Sequence, residues 1–343
     1  MSQLLGGSLL ASVVVFAICA GVIGYFGSRL AILADQLADR TGIGEALMGG
    51  VVLGAVTSLS GSVLSVSAAW SGDADLALGN ALGGMGAQML FLVVADVCYR
   101  GVNLEHAAAS VENMMQGALL VCMLSLLLLA SYGPEWTVWG VHPATPLLLV
   151  AYVGGMVLVN RSKTDPMWKP VRTRDTRTDE PELSNQSLEL RSLCFRFAGL
   201  AIVLAVAGWA MQRAASSIVE VSGMNVLIMG ILLTSVATSL PELVTSVAAV
   251  RRGALTLAVS GILGGNAYDS LFAAFSDIAY RSGSIYHEMS PTLSFWIAVN
   301  LCMSGILIMG LLSRERRGVV RIGFESVGVG LLYLLGVVAL VID

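Results

Sequence analysis

The feature that most constrains this 343-residue chain is the recurrence, almost from end to end, of apolar stretches long enough to cross a lipid bilayer. A helix needs about 20 apolar residues to span the hydrocarbon core. Only 12% of the residues are charged, 56% are hydrophobic and the mean hydropathy is +0.81, whereas a soluble domain carries roughly twice that share of charge. The stretches also lack the roughly ten-residue alternation of membrane β-barrel strands. The sequence therefore predicts an all-α integral membrane protein.

Ten transmembrane helices are predicted, with boundaries good to a few residues. They cover residues 7–33, 43–69, 74–98, 106–131, 143–160, 193–219, 222–250, 254–280, 291–313 and 318–342. The first apolar run has no Lys or Arg before it, which favours a true span over a cleaved signal peptide.

The distribution of basic residues predicts the orientation. If the N-terminus lies outside, 17 of the 19 Lys and Arg residues fall on the cytoplasmic side and only Arg213 and Arg281 fall outside. Short cytoplasmic loops carry such an excess of positive charge. Both termini are therefore predicted outside, in what we expect to be a bacterial inner membrane.

One long polar segment, residues 161–192, divides the spans five and five. Its first half is basic, an acidic stretch follows, and it contains no apolar pattern that could form a core. It is interpreted as a cytoplasmic linker drawn to anionic headgroups. The predicted organisation is a first five-span repeat at 1–160, this linker, and a second five-span repeat at 193–343.

The two halves match each other at an offset of 181 residues. Residues 42–100 align without gaps onto 223–281, and 21 of these 59 positions are identical, including Thr, Ser, Gly, Asp and Arg as well as apolar residues. Because each half has five spans, the second copy enters the membrane upside down. Such inverted repeats are typical of alternating-access transporters, whose substrate site lies at mid-membrane between the repeats.

The seventh span contains the sequence A-T-S-L-P-E-L, in which Pro241 removes a backbone donor and predicts a helix break. Thr238 and Glu242 lie on one helical face, with Ser239 between them. A glutamate in the middle of an apolar helix is costly unless it faces a cavity or a cation. Hydroxyl, carbonyl and carboxylate oxygens are the ligands that a hard cation prefers, so Glu242 is a candidate metal ligand.

The eighth span contains G-G-N-A-Y-D-S, where Asn266 and Asp269 add an amide oxygen and a second carboxylate at mid-span. Asp269 is the second candidate metal ligand. Asn266 is interpreted as a further ligand, with interhelical hydrogen bonding as the alternative.

These motifs resemble those of the cation/calcium exchanger superfamily, in particular its sodium/calcium antiporter branch. The family patterns T-S-L-P-E and G-[ST]-N-[IV]-[FY]-[ND] are matched in the second repeat by the residues just named, with Gly265 where the family often has Ser. The resemblance implies ten spans, a central cytoplasmic loop, and Na⁺ and Ca²⁺ competing for overlapping oxygen sites between the repeats.

The first repeat departs from the family pattern. Ser60 and Gly61 stand where the family has proline and glutamate, so both a helix break and a carboxylate are expected to be lost there. Only Thr57, Ser58 and Gln88 keep oxygens suited to a cation. Glu242 and Asp269 can balance one Ca²⁺, but binding of several Na⁺ ions is disfavoured because each added charge lacks a counter-charge.

Other charged residues are interpreted more simply. Asp96 with Arg100, and Asp277 with Arg281, are spaced as local i,i+4 ion pairs near span ends. Glu112, early in the fourth span, could supply the missing carboxylate only if it faces the centre of the bundle.

The leading functional prediction is a secondary antiporter that exchanges Ca²⁺, or a related cation, for Na⁺ or H⁺. The alternatives are a transporter of changed substrate, monovalent or proton-driven, and a transport-dead membrane protein that binds ions or scaffolds a partner. The sequence has no P-loop motif and no visible nucleophile–base pair, which disfavours an ATPase or an enzyme. The expected partners are small cations and the bilayer, with no cofactor and no nucleic acid, and the sequence leaves the oligomeric state open.

Overall fold

The computed structural model describes residues 8–41, 54–99, 103–164, 170–171, 190–315 and 323–342. In these ranges the chain is helical, with one isolated β-bridge between Val138 and Val141. Seven of the described helices are long and apolar enough to cross a membrane. They are α1 (Leu9–Thr41), α4 (Ala74–Cys98), α6 (Val111–Ser131), α7 (Ala144–Thr164), α8 (Leu190–Ser222), α13 (Pro291–Ser313) and α14 (Phe324–Ile342).

The remaining apolar segments are broken helices. The pair α9 (Val226–Thr238) and α10 (Leu240–Arg252) together is long enough to span and bends by 45° at the break. Part of α9, Met229–Thr234, is π-helical. The pair α11 (Leu255–Asp269) and α12 (Leu271–Ala279) meets at Ser270. In the first half, α2 (Gly54–Thr57) and α3 (Leu59–Trp70) meet at Ser58.

The predicted boundaries hold best for unbroken spans: 74–98 and 291–313 coincide with α4 and α13. The predicted span 106–131 is wrong at its start, because a separate short helix, α5 (Leu104–Ala107), precedes α6. The predicted span 254–280 is two helices rather than one. The start of the predicted span 43–69 and most of the linker 161–192 lie outside the described residues.

The expected helix break at Pro241 is confirmed, with the proline in the first turn of α10. The expected loss of the break in the first repeat is wrong, because the helix is also interrupted at Ser58. Ser58 has φ −85° and ψ 6°, and its counterpart Ser239 has φ −93° and ψ 6°. The break therefore persists without a proline.

A common feature of both breaks is a threonine that bonds back to its own helix. Thr57 Oγ1 donates to the carbonyl of Gly54, and Thr238 Oγ1 donates to the carbonyl of Ser235, each at 3.2 Å. Side-chain bonds to the preceding turn bend helices. The shared Thr-Ser dipeptide accounts for a break that both halves keep.

The long helices α1 and α8 pack against each other and cover these breaks. Gly27 of α1 lies so close to Pro241 that a β-carbon there would overlap the proline ring. Gly208 of α8 lies equally close to the backbone carbonyl of Ser60. The two contacts are equivalent at the 181-residue offset, because Gly208 corresponds to Gly27 and Pro241 corresponds to Ser60. Because these glycines have no side chain, each long helix can pack directly against the residue two positions after a break.

Candidate functional site

The break points of the helices bring the polar side chains of both halves together inside the bundle. Glu242 lies in the first turn of α10, and Asp269 is the last residue of α11. Their exposed fractions are only 4% and 2%. The other six residues selected from the sequence as oxygen donors are also buried: Thr57, Ser58, Gln88, Thr238, Ser239 and Asn266.

Hydrogen bonds join these side chains across the two halves. Ser58 Oγ donates to Glu242 Oε1 at 3.2 Å. Gln88 Nε2 donates to Asp269 Oδ2 at 2.6 Å and to Ser239 Oγ at 3.4 Å. Gln88 and Asp269 occupy equivalent positions at the 181-residue offset, so the two halves meet here through corresponding residues.

Four buried oxygens at this meeting point have no hydrogen-bond donor among the described residues. They are Glu242 Oε2, Asp269 Oδ1, Asn266 Oδ1 and Gln88 Oε1. Buried acceptors are nearly always paired in folded proteins, so a group of them in one place requires a specific explanation. Two carboxylates and two amide oxygens are the chemistry that a hard cation such as Ca²⁺ or Na⁺ binds.

Asn266 and Thr238 also make hydrogen bonds that shape the site. Asn266 uses its amide group to donate to the carbonyl of Met85 at 3.1 Å, which turns its oxygen away from that contact. Thr238 Oγ1 also lies 3.3 Å from Asn80 Oδ1. Asn266 therefore serves both interpretations made from the sequence, as an interhelical bond and as a candidate ligand.

The first-half position of the missing glutamate is filled by an aromatic ring. A β-carbon added to Gly61 would lie 2.9 Å from Phe272 Cε2 and 3.6 Å from Thr238 Oγ1. The backbone carbonyl of Gly61 accepts from Asn80 Nδ2 at 3.3 Å, and the same amide lies 3.0 Å from Ser65 Oγ.

Asn80 and Phe272 were missed by the sequence reasoning. The signal for Asn80 was present, because it is an amide within a predicted transmembrane span. Phe272 gives no such signal, since phenylalanine is common in any membrane span.

A cavity of about 80 Å³ connects the site with one end of the bundle. Thr57 and Glu242 line it, and so does the exposed Arg252 at the last residue of α10. Ser246 and Thr245 add hydroxyl groups between these two ends. The cavity therefore leads from the side on which Arg252 lies to Glu242, whose carboxyl group is itself buried.

Glu112 and clusters of metal-binding side chains were also considered as contributors to the site. Glu112 is half-buried in the first turn of α6 and has no hydrogen bond to the site among the described contacts. The described residues contain no group of three or more His, Cys, Asp or Glu side chains placed to hold a metal. A cation here would thus be bound by two carboxylates and neutral oxygens.

The predicted ion pair between Asp277 and Arg281 is wrong. Asp277 accepts hydrogen bonds from the backbone amide of Ile285 and from Thr145 Oγ1, while Arg281 lies over the ring of Trp70 at 5.8 Å. The pair between Asp96 and Arg100 involves a residue outside the described ranges.

The family model described as sodium/calcium exchanger protein matches residues 11–159 and 192–342. CaxA of Alkalimonas amylolytica, named as a candidate antiporter, is 26% identical over 243 residues, 69% of this chain and 71% of CaxA. Among solved structures, the H⁺/Ca²⁺ exchanger CAX aligns with a TM-score of 0.68 at 12% identity, over 96% of this chain and 82% of CAX. A structure of the sodium-calcium exchanger NCX_Mj, soaked with 2.5 mM Na⁺ and 0.1 mM Ca²⁺, gives a TM-score of 0.64 at 15% identity and covers 97% of this chain and 99% of its own.

Proposed function

Because this chain belongs to the sodium/calcium exchanger protein family, we propose that it is a secondary antiporter that exchanges Ca²⁺ for Na⁺ or H⁺. Members of the family are transporters rather than enzymes, and the chain is an integral membrane protein. The observation that carries the proposal is the convergence of four buried, unpaired oxygens from both halves of the chain.

In the proposed site, Glu242 and Asp269 provide the charge that balances one Ca²⁺. Asn266 and Gln88 add neutral oxygens, and Thr57, Ser58, Thr238 and Ser239 supply hydroxyl groups around them. Pro241 and the two Thr-Ser breaks fix where these side chains enter the bundle. The cavity that reaches Arg252 supports an ion path from that side, and alternating access requires a second state that opens to the other side.

The proposed topology is ten spans in two inverted repeats, residues 1–160 and 193–343, joined by the linker 161–192. Seven long helices, the bent pair α9–α10, the pair α11–α12 and the segment that ends in α3 make up the ten. The basic residues support an orientation with both termini outside the cytoplasm, in a bacterial inner membrane.

One observation favours H⁺ over several Na⁺ as the driving ion. Gln88 places an amide donor, not an acceptor, 2.6 Å from Asp269, and Phe272 occupies the space that a first-half carboxylate would need. Fewer ligand oxygens remain for monovalent ions, whereas a carboxylate can exchange Ca²⁺ for a proton without any further ligand. Of the two versions of the proposal, these contacts therefore favour exchange of Ca²⁺ for H⁺.

Uptake of radiolabelled Ca²⁺ into proteoliposomes tests both versions. An outward Na⁺ gradient, an outward H⁺ gradient and no gradient are imposed in parallel at equal membrane potential. Uptake that follows either gradient and is lost in Asp269→Asn supports the antiporter, and the effective gradient identifies the driving ion. Equal uptake under all three conditions would rule out exchange.

A further inference from the structure

A second group of buried acids lies far from the cation site, at the end of the bundle where Arg314 lies. This end is cytoplasmic in the proposed topology. Asp96 in the last turn of α4, Glu105 in α5 and Glu325 in the first turn of α14 have exposed fractions of 2%, 1% and 0%.

Two of these three carboxyl groups have at least one oxygen without a donor among the described residues. Asp96 is satisfied, because Oδ1 accepts from the amide of Leu104 at 3.0 Å and Oδ2 accepts from Ser326 Oγ at 2.8 Å. Glu325 Oε1 accepts from Asn103 Nδ2. Glu325 Oε2 and both carboxyl oxygens of Glu105 have no donor among the described residues.

Asn103 joins the two glutamates, because its Nδ2 donates to Glu325 Oε1 and its Oδ1 accepts from the backbone amide of Glu105 at 3.1 Å. This brings the two carboxyl groups within reach of each other, so that one can donate a hydrogen bond to the other. Two ionised carboxylates in contact inside a protein repel each other strongly, and one shared proton removes that repulsion. The proton turns a repulsive contact into a hydrogen bond that joins α5 to α14.

Several helices that pack around Glu105 and Glu325 contribute further titratable or charged groups. Asp96 is on α4, and His106 is on α5 itself. Arg314, at the end of α13, donates through Nη2 to the backbone carbonyl of His106 at 3.3 Å, and Glu315 accepts from the amide of Phe324 at 3.4 Å.

Two further helices lie near. Helix α11 packs against α5 but has its only acid, Asp269, at its far end. Helix α6 contributes Glu112, which is half-buried in its first turn.

The opposite end of the bundle shows the same hydrogen-bonded frame without the two glutamates. At the 181-residue offset, Asp277 replaces Asp96 and accepts from the amide of Ile285 at 3.2 Å and from Thr145 Oγ1 at 2.6 Å. Tyr286 stands in place of Glu105 and Ala144 in place of Glu325. The hydrogen bonds of this frame therefore form without acids at the two glutamate positions. Glu105 and Glu325 add two carboxyl groups that the frame does not need.

We propose that Glu105 and Glu325 form a proton-binding site, separate from the cation site, and that the bound proton fastens α5 to α14. A metal ion fits less well, because only three unpaired oxygens from two acids are present and Asn103 presents its donor group. Ca²⁺ takes six to eight oxygen ligands. The acids also do not form a metal-binding group by geometry within the described residues.

The electrostatics agree with this geometry. Burial, together with the charges of Asp96 and Glu325, raises the pKa of Glu105 well above its ordinary value. An acid whose pKa is higher in the folded than in the unfolded state binds its proton more tightly when folded. Its contribution to stability is complete below the unfolded pKa of about 4.3 and is lost as the pH rises toward the folded pKa.

Thermal unfolding of the purified full-length protein in detergent tests the proposal, at pH values from 5 to 8 and without Ca²⁺. Glu105→Gln and Glu325→Gln each remove one of the two facing negative charges, so each variant should unfold roughly 3 °C or more above the wild type at pH 8 and match it near pH 5. The control Glu220→Gln removes an exposed glutamate at the end of α8 and should follow the wild type. Ca²⁺ affinity at fixed pH should change less than twofold in both variants.

Infrared difference spectra provide a readout that does not depend on unfolding. The carbonyl stretch of a protonated carboxylic acid should persist above the pH at which exposed glutamates ionise, be absent from Glu105→Gln, and remain in the presence of saturating Ca²⁺, which removes protons from the cation site. Absence of such a band would overturn the proposal. So would a melting temperature for Glu105→Gln that has the same pH dependence as that of the wild type.

Discussion

Replacing Glu242 by Gln removes one of the two charges at the proposed cation site while preserving the shape of the site. Ser58 Oγ donates to Glu242 Oε1 at 3.2 Å, and the amide oxygen of Gln can accept the same bond. Oε2, which has no donor among the described residues, becomes an NH₂ group that points its hydrogens at the cation. The variant therefore changes the charge and one ligand and leaves the packing intact.

The size of the effect follows from burial. Removing one partner of a buried charge pair costs about 3–5 kcal/mol. At about 1.4 kcal/mol per factor of ten, Ca²⁺ should bind roughly 150- to 4,000-fold more weakly. Without Ca²⁺ the variant should be at least as stable as the wild type, because an uncompensated buried carboxylate has been neutralised.

Isothermal titration of the purified protein with Ca²⁺ measures the affinity, and melting temperatures with and without Ca²⁺ report folding and binding together. The control is Glu220→Gln, which changes an exposed glutamate and should leave both measurements as in the wild type. A folded Glu242→Gln protein that binds Ca²⁺ within threefold of the wild-type affinity would refute the site.

Three further predictions follow from the packing and the charges. In Gly27→Ala the new methyl group overlaps the ring of Pro241, so this variant should be about 1–3 kcal/mol less stable and should take up Ca²⁺ more slowly. Gly21→Ala on the same helix, where a β-carbon has nothing within 4 Å, should change neither property, and melting curves and Ca²⁺ uptake measure both. With only two formal charges in the site, each Ca²⁺ should exchange for no more than two monovalent charges, and a robust transport-driven voltage that is sensitive to Asp269→Asn would contradict this. A cysteine placed at residue 187 in the linker should resist a membrane-impermeant reagent in sealed cells, and labelling from outside would reverse the topology.

The fold was predictable where apolar length alone decides, as in α4 and α13, whose ends coincide with the predicted ones. The members of the proposed cation site were predictable where an acid in an apolar helix is costly and therefore conspicuous, as for Glu242 and Asp269. Gln88 was identified from its place in the first repeat, and the structure brings it into one buried cluster with both acids.

What the sequence did not reveal depends on local bonding and on distant packing. The break at Ser58 was missed because proline was taken as its cause, although Thr57 makes the same backward bond to its helix that Thr238 makes. The role of Asp277 was missed because helical spacing suggested an ion pair with Arg281, whereas its partners Ile285 and Thr145 lie outside its helix. Spacing along one helix contains no information about such partners.

The ring of Phe272 against Gly61 restricts the routes by which this lineage could recover a first-half glutamate. A single change at Gly61 to Glu would force a side chain into space that the ring already fills, so the variant carrying it alone would be handicapped. A glutamate at residue 61 would fit only if the ring of Phe272 moved away or were replaced by a smaller side chain. The residue at position 272 therefore sets how easily residue 61 can change to glutamate.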